Sequence, residues 1–173
     1  MKGLVFLGAA ALSLGFGCGG EPVALRTLSQ ADVSDIPPGN ATGTELSGTY
    51  LLVESALTGC RCRVGVCDLH AGTGASLTVL QQDGALTVTD FDGNSSHGGV
   101  NANDTFVYGG VDPFDTATAS GTELGIVHGL FTVSNGRPLN MQYVGQATLT
   151  GTLGSESYDC DLSLSATADY QGP

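Results

Sequence analysis

The most constraining feature of the sequence is the alternation of apolar and polar residues between positions 139 and 170. Apolar side chains fall on odd positions from 139 to 153 and on even positions from 158 to 170. Side chains of a β-strand point alternately to opposite faces, so each stretch predicts a strand with one apolar and one solvated face. A turn at Gly154–Ser157 places both apolar sets on one side. The pattern therefore predicts a long antiparallel hairpin.

Two further hairpins are predicted from turn dipeptides. Asp83-Gly84 is a strong two-residue turn signal, and it pairs Val79 with Val88. Asn135-Gly136 gives the second turn, and its register places His128 opposite Tyr143 and Leu130 opposite Met141 on the inward face. The other face of that first strand is apolar as well, with Val127, Phe131 and Val133.

About eight strands are predicted, beginning with Ser47–Ser55 and including weaker ones near Thr105–Gly109 and Asp115–Ser120. An antiparallel up-and-down meander of this length leaves exposed edges, which closure into a barrel removes. We therefore expect an all-β closed barrel, with a two-sheet sandwich as the alternative. Gly48-Thr49-Tyr50, followed by a meander, resembles the first strand of lipocalin and avidin chains. That resemblance implies a lipocalin-like β-barrel and nothing about function.

The N-terminus resembles the signal of bacterial lipoproteins. An apolar run from Leu4 to Leu14 is too short to span a bilayer as a helix, and small Gly17 precedes Cys18. The resemblance implies cleavage after residue 17, lipid attachment at Cys18 and, since Gly19 follows, an outer-membrane location. We expect a signal peptide over residues 1–17, a flexible, lipid-anchored linker over 18–46, and a β-barrel domain over 47–173.

Charge and export limit the other functions. The net charge of −12 excludes the basic footprint of nucleic-acid binding, so the acyl group rather than charge must hold the chain to a membrane. Exported thiols meet oxidising conditions, so we expect disulfides rather than a zinc site. One pairing is Cys60–Cys67 with Cys62–Cys160, and the other is Cys62–Cys67 with Cys60–Cys160.

No catalytic set or cofactor motif is visible, and the chain is predicted not to be an enzyme. The polar stretch Asp90–Asp104 contains Asp90-Phe91-Asp92-Gly93-Asn94, which suggests calcium but fails the EF-hand template at its sixth and twelfth positions. That stretch is interpreted as a loop, with calcium binding left open and no metal site assigned.

Two functional hypotheses remain for an envelope lipoprotein. In the first, the barrel binds a small apolar ligand, and the candidate ligand-facing side chains are His128, Met141, Tyr143 and Tyr170. In the second, the barrel interior is filled and the protein is a structural or interaction lipoprotein that acts through its outer surface. The sequence does not identify a protein partner.

Overall fold

A computed structural model describes residues 25–65, 67, 72–115 and 119–173. At Leu153 it describes only the backbone. The predicted signal peptide, residues 1–17, and the predicted lipid-attachment site, Cys18, lie outside these ranges. The described residues form one short helix and eight strands, which are α1 (Gln30–Ser34), β1 (Gly48–Val64), β2 (Ser76–Gln82), β3 (Ala85–Thr89), β4 (Ser95–Val100), β5 (Thr105–Asp115), β6 (Ala119–Ser134), β7 (Arg137–Leu153) and β8 (Glu156–Gly172). No described helix has the length and hydropathy needed to cross a bilayer.

The strands form one antiparallel meander that closes on itself. Each strand pairs with the next in the chain, and β8 pairs with β1, which makes the sheet a closed barrel. The predicted all-β class and up-and-down topology are confirmed. The strands differ in length, since β2, β3 and β4 have 5 to 7 residues whereas β1, β7 and β8 have 17 each. The long strands therefore extend the wall on one side of the barrel.

The apolar sides of the strands face the interior. The largest buried cluster includes Tyr50, Phe106, Phe131 and Met141, and a smaller one includes Leu149, Cys160 and Leu162. On β8 the apolar side faces the interior as predicted, with Leu162 and Leu164 at 3% and 6% exposure, but Asp161 and Ser163 on the other side, predicted to be solvated, are buried as well. The disulfides Cys60–Cys67 and Cys62–Cys160 hold β1 and the segment after it to β8. This is the first of the two pairings that the sequence allowed.

Two local predictions were wrong. A β4 strand forms inside the stretch interpreted as a polar loop, because β3 and β5 pair with its two edges. The separate strand predicted at Asp115–Ser120 is not formed, since residue 115 ends β5 and Ala119 begins β6. Residues 116–118 between them lie outside the described part of the chain.

Residues 25–46, which we call the N-terminal strap, pack along the outside of the barrel. Leu28 and Val33 are buried against Ile126 on the outer face of β6, and Leu46 joins the interior core. Backbone hydrogen bonds join Gly39 N to Gly84 O and Ala41 N to Val100 O. The interpretation of this part as a flexible linker is therefore wrong for residues 25–46, because its apolar side chains have a sheet surface to cover.

The strap buries a carboxylate on the outer face of β8. Asp161 was placed on the solvated side of its strand, but its side chain is 0% exposed. It accepts hydrogen bonds from Arg61 (2.7 Å), Arg63, Thr148 (3.0 Å) and Thr27 of the strap (3.1 Å). Burial alone would raise the pKa of Asp161, but these donors lower it to about 2. The strap is thus attached to the barrel by a charged, fully hydrogen-bonded group.

Candidate binding sites

The barrel interior is packed with its own side chains. Phe106 and Phe131 lie with ring centroids 4.7 Å apart, and Tyr50 lies 5.7 Å from Phe131. Two of the predicted ligand-facing residues, Met141 and Tyr143, point inward as expected but are 0% and 4% exposed within this core. Tyr170 also points inward, with its ring 5.3 Å from that of Tyr50. These three side chains therefore contribute to the core.

His128 does not lie in the core with these residues, and the prediction that it points inward was wrong. The predicted register holds next to the turn, where Val133 pairs with Pro138. A bulge follows, so that Thr132 pairs with Asn140 and His128 pairs with Val144. A shift of one residue exchanges the two faces of a strand. His128 is therefore exposed on the outer wall, and Val127 and Phe131 form the inward face of β6.

The outer wall carries a groove of about 800 Å³ across β1, β6, β7 and β8. Leu130 and Val144 line it and are 45% and 44% exposed, which is high for apolar side chains. His128 and Glu54 supply ionisable groups beside them. Partial burial, and then the charge of Arg26 on the strap, lower the pKa of His128. The groove thus combines an apolar floor with an imidazole that is mainly neutral at physiological pH.

A second, smaller site lies inside the barrel between β5 and β6. Asp112 and Glu123 are direct cross-strand partners, and both line a cavity of about 20 Å³ next to Asp90 and Asn94. Burial, followed by the charges of Asp112 and Asp90, raises the pKa of Glu123 to about 8. Burial and the charges of Asp90 and Asp92 raise the pKa of Asp112 to about 6. Among the described residues, this carboxyl pair has no cationic partner of the kind that stabilises Asp161.

Several buried oxygens have no hydrogen-bond partner. Within the described part of the chain these include the hydroxyls of Tyr108, Tyr143 and Tyr158 and Oδ1 of Asp112. Tyr108 lines the small cavity, and Tyr158 is close enough to Glu123 for their charges to interact. Sequence reasoning missed Glu123 because the strand 123–134 has two apolar faces. Glu123 lies an even number of residues from Val127 and Phe131 and therefore shares their face of the strand. This spacing is the signal that would have placed Glu123 inside.

The cysteines form a third cluster. Cys62 and Cys160 are direct partners on β1 and β8, and Cys67 Sγ lies 3.4 Å from Cys62 Sγ. The sulfurs of Cys60, Cys62 and Cys67 lie close enough together to be metal ligands. All three are paired in disulfides, which removes the thiolates that a zinc ion would need. The cluster therefore closes the barrel covalently.

Comparisons of the chain with protein-family models, curated proteins and solved structures found no match.

Proposed function

We propose that this chain is a non-enzymatic, lipid-anchored domain of the bacterial cell envelope, held at the outer membrane, that acts through its outer surface. The observation that carries the proposal is the packed interior, where Tyr50, Phe131 and Met141 occupy the space that a small apolar ligand would need. An eight-stranded barrel is just wide enough to be filled by its own side chains. This favours the interaction hypothesis over the ligand-carrier hypothesis.

The packing of the strap supports a short tether. Since Leu25 already lies against β1 near Gly59, only residues 19–24 separate the proposed lipid site at Cys18 from the barrel. The seven Cα–Cα steps from Cys18 to Leu25 span at most about 25 Å when fully extended. The anchor would therefore hold the domain close to the membrane surface. A triacylated cysteine is needed for stable anchoring, because a single acyl chain binds only marginally.

The first prediction concerns the anchor. Replacing Cys18 with serine (Cys18→Ser) removes the only thiol that could carry the lipid, so we expect the protein to move from the membrane fraction to the soluble fraction of the envelope. Labelling with radioactive palmitate should mark the wild type and not the variant. Unlabelled wild-type protein, or a Cys18→Ser protein that stays in the membrane fraction, would contradict the anchoring proposal.

The outer groove is the surface that we propose for contact with a protein partner. Its apolar residues Leu130 and Val144 are exposed on neighbouring strands, and solvent-exposed apolar side chains of this kind are enriched at interfaces when polar groups surround them. His128, Glu54 and Thr167 provide that polar surround. The chain itself supplies a comparison, since Leu80 is 58% exposed on β2 outside the groove.

The second prediction tests this surface directly. A photo-crosslinking residue placed at Gln142 in the groove should give a discrete crosslinked product in the native host, and the same residue at Leu80 should not. A second change, Leu130→Asp, should remove the product because it places a charge on the apolar floor. Equal crosslinking from both positions, or a product that survives Leu130→Asp, would contradict a role for the groove.

A further inference from the structure

The carboxyl pair inside the barrel destabilises the fold, and no described contact offsets that effect. Asp112 and Glu123 face each other directly across β5 and β6, an arrangement in which like charges destabilise a sheet. Glu123 is only 5% exposed, and no described group donates a hydrogen bond to its carboxyl. A buried carboxyl normally has a hydrogen-bond donor or a cation beside it.

No described basic side chain supplies that cation. Arg61 and Arg63 bind Asp161 and Asp159 on the outer face, and Arg26 binds Asp32 on the strap. Asp90 in the β3–β4 loop adds negative charge beside both members of the pair, and Asp92 adds it beside Asp112. Within the described residues the pair therefore has no positive partner.

The size and the lining of the cavity indicate which kind of cation fits it. Its volume of about 20 Å³ accommodates one water-sized occupant. The oxygen-bearing side chains around it include Asp90, Asn94 and Ser96 in addition to the carboxyl pair. A side chain at residue 110 would collide with the Ser96 hydroxyl, so Gly110 leaves room for that oxygen at the cavity. Oδ1 of Asp112 is buried there without a partner.

We propose that this cavity is a calcium-binding site, with carboxylate ligands from Glu123, Asp112 and Asp90. A set made only of oxygen donors suits a hard cation, and Ca²⁺ accepts six to eight ligands in irregular arrangements where Mg²⁺ demands a near-ideal octahedron. Asp90 is held in place by hydrogen bonds from the backbone N–H groups of Asp92 and Asn94, both 2.9 Å. The ligands come from β5, β6 and the β3–β4 loop, so no linear EF-hand pattern is expected.

The carboxylate ligands are not yet gathered around one point. Among the described residues, no three of these carboxyl groups have their oxygens within 4.8 Å of one another. Mutual repulsion separates like charges, and a divalent cation removes that repulsion. Binding is therefore expected to draw the side chains of Asp112 and Glu123 together and to rigidify the β3–β4 loop through Asp90.

Calcium titration of the full mature chain, stripped of metal with a chelator, tests the proposal. We expect Ca²⁺ to raise the thermal unfolding midpoint of the wild type by several degrees, because a ligand that binds only the folded state stabilises it. Tb³⁺ should give tyrosine-sensitised luminescence, since Tyr108 lines the cavity, and Ca²⁺ should displace it. Calorimetry should give a stoichiometry of one.

Matched variants separate this site from the acidic surface. Glu123→Gln preserves the shape of the buried side chain, and Asp112→Asn provides a second test in case the first variant does not fold. Each should weaken Ca²⁺ binding by at least tenfold, whereas Glu54→Gln in the outer groove should leave it unchanged. A wild type that does not respond to Ca²⁺ would overturn the proposal. So would a response that survives both substitutions, which would show screening of the surface charge.

Discussion

Replacing Cys62 and Cys160 together with alanine is expected to lower the free energy of unfolding by about 5 kcal/mol. The bond joins residues 98 apart in sequence, and in the chain-entropy model a crosslink over a loop of about 100 residues stabilises by roughly that amount. It joins β1 directly to β8, the pair of strands that closes the ring. Urea unfolding, followed by circular dichroism, measures the change.

The second disulfide provides the matched control. Cys60 and Cys67 are only 7 residues apart, so replacing both with alanine should cost about 2 kcal/mol in the same model. Both variants remove two sulfurs from the same end of the barrel, and they differ mainly in the length of chain that is closed. Equal losses from the two pairs would show that local packing around the sulfurs, rather than closure of the ring, accounts for the stabilisation.

Asp161→Ala is expected to destabilise the protein by about 3 kcal/mol, because it leaves a group of buried and half-buried donors without their shared acceptor. Thr27 and Thr148 both donate to this carboxylate, and Thr148 in turn accepts a hydrogen bond from Leu28 N at 2.7 Å. The variant should therefore also loosen the strap, which hydrogen–deuterium exchange at Leu28 would detect.

Asp159→Ala is the control for that experiment. Asp159 also binds Arg63, but its side chain is 31% exposed and the partner is 36% exposed, so we expect a loss of no more than about 1 kcal/mol. A similar loss from both variants would mean that Asp161 behaves as an ordinary surface ion pair and that it does not hold the strap.

The contribution of Asp161 also has a defined pH dependence. Its folded pKa of about 2 lies below the ordinary value of 3.8, so the stabilisation is present above about pH 4 and is lost as the pH falls towards 2. The difference in unfolding free energy between the wild type and Asp161→Asn should therefore shrink below pH 4. A difference that stays constant down to pH 2 would contradict the proposed role of its charge.

Much of the fold could be predicted because the sequence repeats one rule, apolar in and polar out, along strands joined by recognisable turns. The register from Asp83-Gly84 is correct, with Val79 opposite Val88. The strand register predicted from the Asn135-Gly136 turn is correct for the two residue pairs next to the turn and wrong beyond them. A bulge there adds one residue to β7, and no local sequence pattern signals it. That single residue moved His128 from the predicted interior to the outer wall.

The remaining errors have a tertiary cause. Ser95–Val100 has almost no strand propensity, yet it forms β4 because its glycines permit close approach of other backbone. A side chain at Gly99 would collide with Gly39 of the strap, and one at Gly98 would collide with Val107 on β5. Likewise the alternation along β8 predicts that Asp161 is solvated, but the strap and the side chains of Arg61, Arg63 and Thr148 enclose it. Contacts between distant segments of this kind cannot be read from local periodicity.

Native mass spectrometry of the protein purified from its host membrane, with its lipid intact, tests the filled barrel and the anchor together. Because Tyr50, Phe131 and Met141 fill the interior, we expect the mass of the mature chain from Cys18 with its acyl groups and two disulfides, and no stoichiometric small apolar molecule. A small apolar molecule that remains bound at one per chain would contradict the filled barrel, and a chain without acyl groups would contradict the anchor.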